Sequence, residues 1–175
     1  KTGYEITHLS VDREGMIDLE ELRRAIRPDT VLITIMFANN ETGTIFPVQE
    51  IGEIAREKGV IFHTDAVQAV GKIPVDLKKL PVDILSLSGH KLNTPKGIGA
   101  QFIRKGTRLS PLIHGGAQER NRRAGTENIP YIIGLGKACE IARRDFQKRH
   151  EHLRGLRDRL QEGISRTIPH VELNG

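Results

Sequence analysis

The stretch Ser86-Leu87-Ser88-Gly89-His90-Lys91-Leu92-Asn93-Thr94-Pro95-Lys96-Gly97-Ile98-Gly99-Ala100 places a lysine where an apolar run stops. Ile84-Leu85-Ser86-Leu87 reads as a buried strand, and the Gly, Asn and Pro that follow force a tight loop, so Lys91 emerges at a strand end among backbone amides. A lysine held there and partly desolvated can form a Schiff base with a carbonyl compound. Taken alone, the stretch reads better as a surface lysine after a strand, because solvated lysines far outnumber catalytic ones. Two further polar loops strengthen the chemical reading: Asn39-Asn40 follows the apolar run Val31–Phe37, and Asp65 with Gln68 follows Val60–Thr64. In a parallel sheet all three strand ends lie on one edge and can converge on one ligand. Asp65 on its own could equally cap a turn. His63 points to the opposite side from Thr64 and is expected to be structural.

These loops require elements to carry them. A short alternating piece, Tyr4–Leu9, reads as a strand, followed by a turn at Asp12-Arg13-Glu14-Gly15. Asp18 and Glu21 make a capping box for a helix over Leu19–Ile26, ended by Pro28. Val31–Phe37 is continuously apolar and β-branched, the mark of a strand buried on both faces. Pro47 opens a helix carrying Ile51, Ile54 and Ala55 to a stop at Gly59, and Val60–Thr64 is the next strand. Ile98–Ile103 follows the Lys91 strand too closely for a parallel crossover and is expected to run antiparallel to it. Alternating strands and helices define an α/β domain with a mainly parallel sheet flanked by helices. His114–Asn128 is glycine-rich, basic and non-periodic, hence a loop; Asn128 caps a helical pattern that persists to about Arg166 through Leu135, Ala138, Ala142, Leu153 and Leu160. That length suits a connector between two domains.

The 175 residues, 37% hydrophobic, suffice for one core of ordinary size. The chain opens at Lys1-Thr2-Gly3-Tyr4 without an initiator Met and closes on the turn signal Asn174-Gly175, so it is expected to be a piece of a longer protein. No apolar run approaches the roughly 20 residues of a membrane span, and no signal-peptide pattern opens the chain. The single cysteine, Cys139, excludes an internal disulfide, fits a reducing compartment and is expected to be a small core residue beside Ala138 and Ala142. A net charge of +5 raises the question of nucleic acid, yet seven Lys and Arg residues fall in Arg143–Arg159, interleaved with acids at helical spacing as on a solvated face. There is no Trp to stack on bases. Neither nucleic acid nor a membrane is expected as a partner, and no metal site is expected.

The chain resembles the cysteine desulfurases, within the class V branch of fold-type I pyridoxal phosphate enzymes. Four motifs carry the resemblance in order and spacing: Asn39-Asn40-Glu41-Thr42-Gly43; His63-Thr64-Asp65-Ala66-Val67-Gln68; Ser88-Gly89-His90-Lys91 with Pro95-Lys96-Gly97-Ile98-Gly99; and His114-Gly115-Gly116 through Arg123-Ala124-Gly125-Thr126. The resemblance implies the large domain of a fold-type I transferase, in part, over residues 1–146, with 147–175 as a connecting helix and the start of a small C-terminal domain. It implies conversion of L-cysteine to L-alanine, with sulfur passed as a persulfide to iron-sulfur cluster or related assembly through an acceptor or scaffold protein, in a cytoplasmic homodimer. Other class V enzymes, an aminotransferase or a selenocysteine lyase, or a non-catalytic protein with the same fold, are the alternatives.

Role by role, the resemblance implies that Lys91 holds pyridoxal phosphate as a Schiff base and moves the substrate proton, with His90 beside it. Asp65 pairs with the pyridine nitrogen, Gln68 with the ring hydroxyl, and Asn40 faces the cofactor and the substrate carboxylate. Ser88 and His90 bind the phosphate, joined by Thr126 from the neighbouring subunit. Asn93-Thr94 departs from the family's usual residues after the lysine without touching a chemical group, whereas the persulfide cysteine and the carboxylate-binding arginine of the family have no counterpart in these residues. Arg123–Asn128, with Lys96 after Pro95, is closer to the housekeeping and nitrogen-fixation group than to the sulfur-mobilisation group.

Overall fold

In a computed structural model, residues 3–174 are described; the turn expected at Asn174-Gly175 runs out of them. Four strands form one sheet in the order β1 (Leu32–Met36), β2 (Ile61–Asp65), β3 (Ile84–Ser88), β4 (Gly99–Ile103). β1, β2 and β3 are parallel and β4 is antiparallel to β3. The α/β class and the antiparallel fourth strand are therefore as the sequence pattern requires.

Each strand shows one face to a core. Ile33, Phe62 and Leu85 are buried there together with Val48, Ile51, Ile54 and Ala55 of helix α2 (Val48–Lys58) and Leu22 of helix α1 (Leu19–Ala25). α2 ends where Gly59 takes a left-handed conformation (φ 67°) and returns its N–H to the carbonyls of Ala55 and Arg56. Thr64 lies in the same core, and its Oγ1 has no hydrogen-bond partner among the described residues.

Several expectations are corrected. Tyr4–Leu9 forms no strand: only an isolated bridge joins Val11 to Ile17, and no neighbouring chain segment pairs with the alternating piece. Asp18 does cap α1, accepting from the Glu20 N–H, but Glu21 does not close the capping box; its Oε1 accepts from the Ser10 N–H at 3.1 Å instead. β1 is buried on one face only, because it is the edge of the described sheet and no helix covers its second face; Leu32 and Met36 are exposed. The long helical pattern is two helices, α3 (Ile129–Arg144) and α4 (Phe146–Thr167), with the break at Asp145. Arg144 turns on Asp145 with two hydrogen bonds at that break. Cys139 is exposed: it faces an open groove between α3 and Val70–Asp76 that no side chain fills, so it sits on the inner stripe of α3 without becoming core. No helix among the described residues is long and apolar enough to cross a membrane.

Candidate functional site

The parallel register brings three strand ends to one edge, since Met36 pairs with Asp65 and Asp65 with Ser86. Beyond β1 the chain turns sharply: Asn39 Oδ1 accepts from the N–H groups of Glu41 and Thr42, and the Asn39 N–H donates to the Thr44 carbonyl. Asn39 thus shapes the loop, leaving Asn40 exposed as its free side chain.

Asp65 is the last residue of β2. Its backbone carbonyl accepts from the Phe37 N–H at 2.8 Å, its Oδ1 accepts from the Val67 N–H at 2.9 Å, and its Oδ2 has no partner among the described residues. The tight turn 66–73 puts Gln68 and Lys72 on one side, where Lys72 Nζ donates to Gln68 Oε1 at 2.6 Å. The Lys72 ammonium has its pKa lowered, first by burial and then by the positive charge of Lys91, so the two lysines stand near one another.

The third strand end is a short 3-10 turn, Gly89–Leu92. Ser88 Oγ and His90 Nδ1 are hydrogen-bonded at 2.7 Å. The Gly89 N–H donates to the Ile98 carbonyl, and a side chain at position 89 would collide with Thr94 and Ile98, so the turn is folded down onto β4. Asn93, in the left-handed region at φ 66°, closes the turn and serves where a glycine would, which accommodates the Asn93-Thr94 departure. Lys91, the turn's third residue, is exposed rather than partly desolvated, because nothing among the described residues lies over it. The lysine that burial does perturb is Lys72, which the sequence reading passed over; its spacing of four from Gln68 was the available signal.

Asp65, Gln68, Ser88, His90 and Lys91 are therefore gathered at the sheet edge, and Asn40 hangs from the loop above it. Thr126 is apart. It follows the small antiparallel pair β5 (Ala117–Gln118) and β6 (Arg123–Ala124), is exposed, and no hydrogen bond joins it to the other residues. No group of three or more His, Cys, Asp or Glu among the described residues could hold a metal ion.

The chemistry of this donor set suits pyridoxal phosphate. It offers an aldehyde-reactive amine at Lys91, a carboxylate with one uncommitted oxygen at Asp65, and a hydroxyl–imidazole pair at Ser88 and His90 able to bind a phosphate.

The model of the class-V aminotransferase family matches residues 1–175. A cysteine desulfurase IscS of Methanosarcina thermophila is 60% identical over 173 residues, 99% of this chain and 43% of that protein. A cysteine desulfurase IscS of Dictyoglomus turgidum is 56% identical over 175 residues, all of this chain and 44% of that protein. Among solved structures, a NifS-like protein superposes with a TM-score of 0.89 at 46% identity, covering 93% of this chain and 45% of the other. A structure described as SspA in complex with cysteine has a TM-score of 0.76 at 47% identity, covering 79% of this chain and 40% of the other. The chain thus spans less than half the length of these relatives.

Proposed function

Because the chain belongs to the class-V aminotransferase family, we propose that it is part of the large domain of a pyridoxal phosphate-dependent cysteine desulfurase, converting L-cysteine to L-alanine and passing the sulfur on as a persulfide. The observation that carries this reading is the gathering of Asp65, Gln68, Ser88, His90 and Lys91 at the ends of two adjacent parallel strands. The names of the relatives support the choice of cysteine as substrate. Residues 1–146 serve as the cofactor-binding part, and 147–175 as the connecting helix and start of a small domain. A cytoplasmic homodimer, with Thr126 reaching the neighbouring subunit's phosphate site and a sulfur-acceptor or scaffold protein of iron-sulfur assembly as partner, completes the reading.

Bound at this edge, pyridoxal phosphate supplies an electron sink for the bond cleavages at the substrate. The chain's own residues do the rest. Lys91 Nζ would hold the cofactor at its aldehyde carbon and would serve as the group that moves a proton at the substrate Cα. Asp65 Oδ2 holds a proton on the ring nitrogen while Val67 keeps Oδ1 in place. Gln68 donates to or accepts from the ring hydroxyl, and Lys72 fixes its amide by holding Oε1. Ser88 and His90, already hydrogen-bonded to each other, receive the phosphate, and Asn40 takes the substrate carboxylate side.

Borohydride reduction of the cofactor-loaded full-length protein, followed by peptide mapping, tests the assignment. The label is expected on Lys91; a label on Lys72, or on any other lysine, overturns it. Lys91→Ala is expected to retain some cofactor through the phosphate contacts and to lose turnover by a factor on the order of a thousand or more.

A further inference from the structure

A hydrogen-bonded chain crosses the open face of the sheet and passes Asp65 at its register partner, Ser86. Thr34 of β1 pairs in register with His63 of β2, and Ser86 of β3 pairs with Gln101 of β4, all on the face turned away from α2. Thr34 Oγ1 lies 2.7 Å from His63 Nδ1, His63 Nε2 lies 2.9 Å from Ser86 Oγ, and Gln101 Nε2 donates to Ser86 Oγ at 3.4 Å. Both imidazole nitrogens are thus committed to hydroxyls.

The inventory of donors allows the chain two directions. Gln101 Nε2 donates to Ser86 Oγ, which keeps its one proton and a second acceptor position, so a neutral His63 makes both contacts in either tautomer: accepting from Ser86 and donating to Thr34, or the reverse. Burial of the half-covered ring favours the neutral imidazole, lowering the His63 pKa against the opposing pull of Asp65's negative charge.

Asp65 lies two residues beyond His63 on the same face of β2, and its register partner on β3 is Ser86 itself. Counting the positions that share this face, Leu32, Thr34 and Met36 on β1, Ile61 on β2, Ile84, Ser86 and Ser88 on β3, and Gly99, Gln101 and Ile103 on β4, Asp65 carries the only charge among the described strands. The hydroxyl nearest it in register, that of Ser86, is hydrogen-bonded to His63 and Gln101 and not to Asp65. A hydroxyl donating to a carboxylate lowers that carboxylate's proton affinity, and a cationic neighbour does so more strongly.

We propose that Thr34, His63, Ser86 and Gln101 are positioning residues for Asp65: by holding the Ser86 hydroxyl on His63 and keeping His63 neutral, they preserve Asp65 as an uncompensated anion able to hold a proton on the cofactor's ring nitrogen. This rests on the assignment of Asp65 made above. His63 thereby acquires a functional part beyond the structural one expected of it.

The test uses the full-length protein loaded with pyridoxal phosphate labelled with nitrogen-15 in the ring, whose chemical shift reports protonation of that nitrogen. In His63→Leu the freed Ser86 hydroxyl turns to Asp65; the ring nitrogen moves toward its unprotonated shift, and kcat falls about tenfold with KM little changed. Removing the freed hydroxyl as well, in His63→Leu with Ser86→Ala, moves the shift back toward wild type, a recovery that a purely structural His63 does not produce. Gln101→Leu, at an exposed position, acts in the same direction and serves where His63→Leu does not fold. A wild-type shift in both His63→Leu and Gln101→Leu overturns the proposal, as does a double variant no better than His63→Leu. Asp65→Asn separates the two readings: if it loses the protonated signal while the other variants keep it, only the positioning chain falls. An unchanged signal in Asp65→Asn overturns both.

Discussion

Asp65 divides its two carboxylate oxygens between structure and chemistry. Oδ1 is spent on the Val67 N–H and orders the turn after β2, while Oδ2 remains for a partner outside these residues. An asparagine can keep the first bond but cannot supply the charge at the second. A charge-assisted hydrogen bond of this kind contributes about 1.5–3 kcal/mol, so Asp65→Asn is expected to lower kcat/KM of the full-length enzyme by roughly 10- to 150-fold. The thermal midpoint should stay near that of the wild type, because the turn-ordering bond survives. Activity within twofold of wild type would end the assignment of Asp65. Lys91 presents a different case, in which the residue is placed by its turn rather than by its own contacts. Gly89 and Asn93 make that placement, one by having no side chain and the other by tolerating a left-handed backbone.

At the level of elements, the sheet is held by a few polar ties whose removal should have opposite effects. Arg104, just past β4, donates to the carbonyls of Leu77, Leu80 and Val82 and lies over the Phe102 ring, binding the connection before β3 to the end of β4. Arg104→Ala leaves three carbonyls unpaired and is expected to cost about 2–3 kcal/mol in denaturant unfolding. Lysine there should recover only part of the loss, since it cannot fork to several carbonyls. Thr64 is the converse. Its buried hydroxyl has no partner, so the isosteric Thr64→Val should leave stability unchanged or raise it by about 1 kcal/mol; a clear loss would show that the hydroxyl has an uncounted partner. Much of this level could be read from the chain. The strands of Ile33, Phe62 and Leu85 announced themselves through continuous apolar runs, the α2 stop through Gly59, and the antiparallel β4 through the shortness of its connection. What could not be read were facts of neighbourhood. The pattern at Tyr4–Leu9 has the right alternation but no strand among the described residues to pair with, and the break at Asp145 falls where the chain changes direction between α3 and α4 rather than at a glycine. The exposure of Lys91 and the polar chain through His63 depend in the same way on what adjacent strands bring alongside.

For the molecule as a whole, the chain spans less than half the length of its curated relatives, and the persulfide cysteine and carboxylate-binding arginine that the family resemblance implies have no counterpart in it. These 175 residues alone are therefore expected to release neither alanine nor sulfide from L-cysteine, even with cofactor supplied. The one thiol, Cys139, sits in the middle of α3, where a helix holds it in place and it cannot travel to a bound substrate. Cysteine turnover by the purified segment that vanishes in Cys139→Ser would make that thiol the nucleophile and refute this reading. The strand order has a consequence of its own. Each of the four described strands of the sheet pairs with its neighbour in sequence, so none of these pairings waits for a strand made much later. At roughly 5–20 residues per second of ribosomal synthesis, the edge bearing Asn40, Asp65 and Lys91 can assemble within seconds of emerging, while α3 and α4 are still being translated.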